Sequence, residues 1–187
     1  MKSLRHLASL PASIPATADD ILEFHAARLL LLILLCGTKR HKGGLAKIDG
    51  LTKMAKLDFF VRYPEFFERI TARIEKQKSI PPKIESSMVR HHYGPWDKRY
   101  YHVLAYLESK GLISVEKSGN AYLLQLTGPG QEAAETLRSK ESFGALSLQM
   151  QAVKKLLGSK SGSALKKLIY DVFQDEVAHK ELGEVIG

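Results

Sequence analysis

The sequence predicts a mainly α-helical chain with one small β-hairpin, an α+β fold. Three observations lead there. Apolar residues recur at helical spacing through most of the chain. One region, residues 112–126, departs from that pattern, with Ile113 and Val115 before a Ser118-Gly119-Asn120 tip and Tyr122-Leu123-Leu124-Gln125-Leu126 after it. Glycine and proline fall between the periodic segments. The length of 187 residues suits one domain, or two small lobes sharing a core. A hydrophobic fraction of 44% with 26% charged residues places the chain among ordinary globular proteins.

In chain order, residues 1–18 read as a flexible arm. Asp19 and Asp20 suit a helix start. That helix should run to Leu35 or Cys36 and stop at Gly37. Its run 29–35 is far short of the ~20 apolar residues that a spanning helix needs, so it reads as a buried helix, with Arg28 bounding one side. A basic loop follows with Lys39, Arg40 and Lys42 ahead of Gly43-Gly44. Leu45, Ile48, Thr52, Ala55 and Phe59 predict helix over 45–63, with Asp49-Gly50 as a possible break. Pro64 suits the first turn of the next helix. Phe66, Phe67, Ile70 and Ile74 give that helix an apolar face, and Arg69, Arg73 and Lys76 give it a basic stripe. Pro81-Pro82 ends it. The expected units are an arm at 1–18, a helical lobe at 19–78, a second lobe at 83–140 and C-terminal helices at 141–187.

The second lobe opens with a strand-like stretch at 88–92 and a Tyr93-Gly94-Pro95 turn. A helix is predicted over 96–110, because Tyr100, Val103, Leu104 and Leu107 repeat at core spacing. Gly111 supplies its left-handed stop. The hairpin then feeds Thr127 as an N-cap, with Pro129 near the first turn of a helix holding Ala133, Ala134 and Leu137.

Helix, glycine, two short strands, then another helix is the order of a winged helix. The stretch YLESKGLISVEKSGNAYLLQLTGPGQEAAETL resembles the wing half of many bacterial winged-helix proteins. That resemblance implies a winged-helix-like α+β fold and says little of function. A narrower likeness lies in KLDFFVRYPEFFER and MVRHHYGPWDKRYYHVLAYLESKGLI. These patches resemble the small middle components of bacterial ABC three-component systems, which include the Lamassu type of anti-phage defence. The resemblance implies a non-enzymatic accessory that binds an SMC-like ATPase and an effector subunit in an oligomeric complex.

Two surfaces are candidates for binding. Arg90, His92, Tyr93, Trp96 and Arg99 form an aromatic and basic turn of the kind that dominates protein interfaces; the alternative for Trp96 is that it packs in the core. The net charge of +8 and a pI near 9.5 favour polyanions or an acidic protein surface. Candidate contacts to double-stranded DNA are Lys39, Arg40, Lys42, Arg69, Arg73, Lys76, Lys98 and Lys117; the loop of Lys39, Arg40 and Lys42 and the stripe of Arg69, Arg73 and Lys76 also suit a plain solvated face. A winged-helix DNA-binding transcriptional regulator is the competing reading. The helix before the wing is short of the Asn, Gln and Arg side chains that read base edges.

The tail carries apolar stripes at Leu146, Met150, Val153 and Leu157, and at Leu165, Leu168, Ile169, Val172 and Phe173. They either close the core or form a partner surface. Lys154, Lys155, Lys160, Lys166 and Lys167 make this region basic, and the acidic extreme C-terminus is expected to be frayed or partner-bound. The single cysteine, Cys36, fits a buried inert thiol and a reducing cytoplasm. No phosphate-binding loop of P-loop spacing occurs, adjacent His91 and His92 on a strand would face opposite ways, and no local catalytic motif is present. Neither metal, cofactor nor enzymatic activity is expected.

Overall fold

The computed structural model describes residues 21–75, 88–91, 94–119, 121–173 and 185–186. The expected arm, Asp19, Asp20, the boundary at 79–82 and the acidic stretch 174–184 lie outside the described residues.

The first helix, α1 (Leu22–Cys36), is the centre of the molecule. Leu29, Leu31, Leu32 and Ile33 are wholly buried, because helices lie on several sides of it. Fully burying one such side chain contributes about 1.5–3 kcal/mol. The chain leaves the helix at Gly37, as expected. A Cβ there would sit 2.3 Å from the Ile33 carbonyl oxygen and 2.8 Å from that of Lys47, so only glycine lets the chain turn so closely. The α1 carbonyls of Cys36 and Gly37 accept hydrogen bonds from Lys154 Nζ at 2.8 and 2.7 Å, a cation on a helix C-terminus. Arg28 does not bound the apolar run at a surface; it is buried within it, for a reason given below.

Residues 47–49 were expected to be helical and instead form strand β1 (Lys47–Asp49). Thr38 and Lys47 bridge the ends of the basic loop with backbone bonds of 2.8 and 2.9 Å. The strand then pairs antiparallel with residues far ahead in sequence, Ile48 opposite Leu124. The ladder overrides the helical spacing of Leu45, Ile48 and Thr52. Gly50, with φ of 100°, turns the chain into helix α2 (Leu51–Arg62), and Pro64 begins helix α3 (Pro64–Glu75).

Strand β2 (Met88–His91) pairs with β3 (Gly94–Trp96), so Gly94 and Pro95 belong to a strand. The next helix, α4 (Tyr100–Ser109), starts at the first residue of its apolar stripe, four residues later than the expected start at residue 96. The cause is Asp97, whose carboxylate accepts the Arg99 backbone N–H at 2.9 Å and organises a turn before the helix. Its end is a Schellman arrangement: the N–H of Gly111 bonds to the Glu108 carbonyl and that of Leu112 to the Leu107 carbonyl. Gly111 has φ of 67°, as that cap demands.

Strands β4 (Ile113–Ser118) and β5 (Ala121–Leu126) form the expected hairpin, with Gly119 at φ of 60° in its tip. With β1 they make a three-stranded antiparallel sheet of order β1-β5-β4. Thr127 caps helix α5 (Gly128–Arg138) as expected, accepting the Gly130 N–H at 3.0 Å while its hydroxyl donates to the Gly111 carbonyl at 2.7 Å. A 3-10 turn (Glu141–Phe143) leads to α6 (Gly144–Leu157) and α7 (Gly162–Val172). A two-residue strand, β6 (Val185–Ile186), pairs antiparallel with β2.

The chain is thus mainly helical with a small antiparallel sheet. Met150, Val153, Leu157, Leu165, Ile169 and Phe173 are wholly buried, so both tail stripes close the core. One apolar cluster takes side chains from α1 through the end of α7. Among the described residues, no helix is long and apolar enough to cross a membrane.

Candidate functional site

A network of buried charge connects α1, α2 and the β3–α4 corner. Arg28 donates to both carboxylate oxygens of Asp58, at 2.9 and 3.2 Å. Tyr100 donates to the same carboxylate at 2.7 Å. Asp58 and Tyr100 are 0% and 1% exposed, so these partners replace water entirely. Burial, reinforced by the Asp58 charge, raises the Tyr100 hydroxyl well above its ordinary pKa, keeping it a donor.

A second centre forms on Asp97. It accepts Arg62 at 2.7 Å and a fork from Arg99, with Nη2 at 2.7 Å and Nε at 2.9 Å. Burial would raise this carboxyl, but the Arg99 hydrogen bonds and the Arg62 and Arg99 charges outweigh it and hold it well below the ordinary value. His25 joins the two centres, with Nδ1 at 2.8 Å from Arg28 and Nε2 at 2.9 Å from Arg99. Both neighbours can only donate, so a neutral imidazole accepts from one of them. Among the described residues, Asp58, Asp97 and Tyr100 are buried against these partners, while Arg99 is partly exposed.

Beside this network lies an open cleft of about 800 Å³. Its floor is the first turn of α2, from Gly50 to Lys53, against the first turn of α7. The two turns touch: a Cβ on Gly162 would lie 2.9 Å from the Lys53 backbone nitrogen. Aromatic walls come from Trp96, Tyr101, Tyr122 and Tyr170. Tyr101 is 60% exposed and its ring lies 5.8 Å from that of Trp96. Lys53, Lys166 and Lys167 supply positive charge. Lys53 donates to the Gly158 carbonyl at 2.9 Å, and Lys166 lies over the Tyr170 ring at 5.6 Å. Asp49 is the one acidic lining residue among those described, and it pairs with Lys47 at 3.4 Å. Beneath the cleft, Lys56 is wholly buried with its ammonium 5.9 Å from the Trp96 ring centre. Burial, with a contribution from the Lys166 charge, lowers its pKa from 10.5 to about 7.

The residues expected to bind partners are only partly gathered here. Trp96 lines the cleft but is 3% exposed, so its packing role holds. Arg99 is half-buried in the Asp97 fork. Arg90 lies on β2, and its side chain, like His92 and Tyr93, lies outside the described residues. Of the residues expected to contact nucleic acid, Lys39, Arg40 and Lys42 are exposed on the closed basic loop, and Lys98 and Lys117 are exposed elsewhere. Arg69 packs over the Phe66 and Phe173 rings, at 5.7 and 4.7 Å, which draws it out of a simple solvent-facing stripe. Arg73 is exposed, and Lys76 lies outside the described residues.

Cys36 is 1% exposed and its thiol donates to the Met150 carbonyl at 3.3 Å. Burial pushes its pKa from 9.0 up to about 12, so it is an inert thiol, as the sequence suggested. Among the described residues no group of three or more His, Cys, Asp or Glu is placed to hold a metal ion. Compared with protein-family models, curated proteins and solved structures, the chain matches none of them.

Proposed function

We propose that this chain is a non-enzymatic binding subunit on a winged-helix-like scaffold, an adaptor joining an SMC-like ATPase to an effector in a bacterial anti-phage complex. One observation carries the reading. The two patches that resemble the middle components of ABC three-component systems meet in space, as Lys56 lies against Trp96, Arg62 pairs with Asp97 and Asp58 accepts from Tyr100. They form a single interlocked unit. Such a unit holds one aromatic edge, Trp96 and Tyr101, in a fixed position, as a docking element requires.

The scaffold reading rests on topology. A helix, a strand and a helix precede the α4–β4–β5 unit, and the first strand pairs with the last in the order β1-β5-β4. That is the winged-helix order with α3 and the β2–β3 hairpin inserted between its second and third helices. Binding is favoured over catalysis because Asp58, Asp97 and Tyr100 are consumed by buried partners, while the open cleft offers lysines and aromatic rings.

Duplex reading through α4 has less support. Its exposed face presents Tyr101, His102, Ala105, Glu108 and Ser109, without an arginine, lysine, asparagine or glutamine. The test is co-expression with an SMC-like ATPase encoded beside the gene, followed by size-exclusion chromatography. Co-elution at a fixed stoichiometry is the expected result. Separate elution, with the chain alone binding duplex DNA in a steeply salt-dependent way, would overturn the adaptor reading in favour of a DNA-binding regulator.

A further inference from the structure

In the second small sheet, of order β3-β2-β6, strand β3 lies against α2 and α7 and ends in the buried Trp96. Strand β2 lies outboard of it, with Val89 opposite Trp96 and His91 opposite Gly94. The other side of β2 is a sheet edge, and such an edge presents backbone N–H and C=O groups that pair with an extended segment. This edge takes one. Val185 and Ile186 add to it antiparallel, opposite Val89 and Met88, from a point far along the chain. The added strand has two residues where β2 has four. Its ladder is correspondingly short, and a longer extended segment would form more of the same bonds. Ladder bonds do not read side chains, so selectivity comes from the residue types that stand opposite one another. β-branched residues suit these positions, as Val185 and Ile186 do. In an occupant that continues the register, the residue before the β-branched pair stands opposite Arg90, where a carboxylate is the favoured neighbour.

We propose that the outer edge of β2 is a strand-acceptor site for an extended segment of a partner protein, a carboxylate followed by β-branched residues, and that β6 of the same chain holds this edge until such a segment displaces it. Addition of a strand to a sheet edge is a recurring mode of peptide recognition, with affinity from main-chain bonds and specificity from alternate side chains. The packing of β3 on two helices fixes the platform on which the strand is added. The inference goes beyond the adaptor reading and does not rest on it, since it concerns an exchange that the isolated chain can display.

The test uses the full chain, isotope-labelled for NMR, and a synthetic peptide of its own residues 179–187, read through the backbone amides of β2. Val185→Pro/Ile186→Pro removes the amides that β6 offers and leaves the edge open. The peptide should bind this variant saturably, with shifts centred on Met88 to His91. The unaltered chain should bind it about fivefold or more weakly, because its own strand competes at a millimolar effective concentration. A peptide carrying the same two prolines should bind neither. Val89→Cys/Val185→Cys joins positions that stand opposite each other and tests the edge without proline. Its oxidised form should refuse the peptide, and reduction should restore binding. The proposal is overturned if the peptide shifts no β2 amide in the proline variant, if that variant and the unaltered chain bind alike, if the proline peptide binds as well, or if the two cysteines fail to bridge. A dimer of the unaltered chain that the two prolines dissolve would also overturn it, by assigning the edge to a second copy.

Discussion

Replacing Asp58 by asparagine keeps the shape of the buried network and removes one charge. Asp58 is wholly buried and accepts two hydrogen bonds from Arg28 and one from Tyr100. Arg62 also feels its charge. The amide offers a single acceptor oxygen, and its NH2 must either face the Arg28 guanidinium, which can only donate, or turn the Tyr100 hydroxyl into an acceptor. Arg28 then loses the carboxylate it pairs with. Leaving a buried charge without its partner costs about 3–5 kcal/mol. For a chain of this length that corresponds to a fall in Tm of about 6–20 °C. Urea unfolding followed by far-ultraviolet circular dichroism and by Trp96 fluorescence measures the loss. Tyr100→Phe removes one donor to the carboxylate and should cost less, about 1.5–3 kcal/mol. The double variant Arg28→Met/Asp58→Leu takes out both charges and should lose less than the sum of the two single changes. A cost below about 1 kcal/mol for Asp58→Asn, or strict additivity in the double variant, would refute the claim that this pair is a coupled buried unit.

Three further predictions follow from single positions. A Cβ on Gly130 would lie 1.7 Å from the Leu112 carbonyl oxygen, whereas one on Gly128 meets nothing within 4 Å. Gly130→Ala should therefore cost about 3 kcal/mol or more, and Gly128→Ala should stay within about 0.5 kcal/mol in the same unfolding assay; equal effects would contradict the close approach of α5 to Leu112. Lys56 has a folded pKa near 7 against an ordinary 10.5, so the unfolded chain binds the extra proton above pH 7. Stability should rise from pH 7 towards pH 9, by at most about 1.4 kcal/mol per unit. Above pH 9 the Cys36 thiol, raised from 9.0 to about 12, ionises first in the unfolded chain and opposes the rise. Lys56→Met should abolish the rise between pH 7 and 9; an unchanged profile would show that Lys56 is not its source. Cys36 should react with a disulfide reagent only as fast as the chain opens, and rapid reaction of the native protein would contradict its burial.

What the sequence revealed depended on how local the cause was. Gly111 and Thr127 act on neighbours within a few residues, and both caps were legible. The hairpin around Gly119 was legible for the same reason. Strand β1 was not, since its partner lies beyond residue 120 and three residues are too few to display a period of two. Nor was the turn before α4, because the Asp97 carboxylate makes it with the Arg99 backbone, ahead of the apolar stripe that begins at Tyr100. The buried network was missed although a signal existed. Arg28 adjoins a fully apolar run, and Asp58 stands between Leu57 and Phe59. A charge in such surroundings requires an opposite charge, but the separation of 30 residues hid which one. The cleft was illegible for the deeper reason that Lys53, Trp96, Tyr122 and Lys166 come from four separate elements. The basic tail and Trp96 are each legible in the sequence, and only the fold places them on one cavity.

The proposed role requires this chain to work by binding within a larger assembly. The most direct test is the mass, by light scattering on a size-exclusion column, of the chain co-expressed with an SMC-like ATPase encoded beside its gene. The expected result is one peak holding both polypeptides at a fixed ratio and a mass that matches their sum. Two separate peaks, with the chain at its free mass, would contradict it.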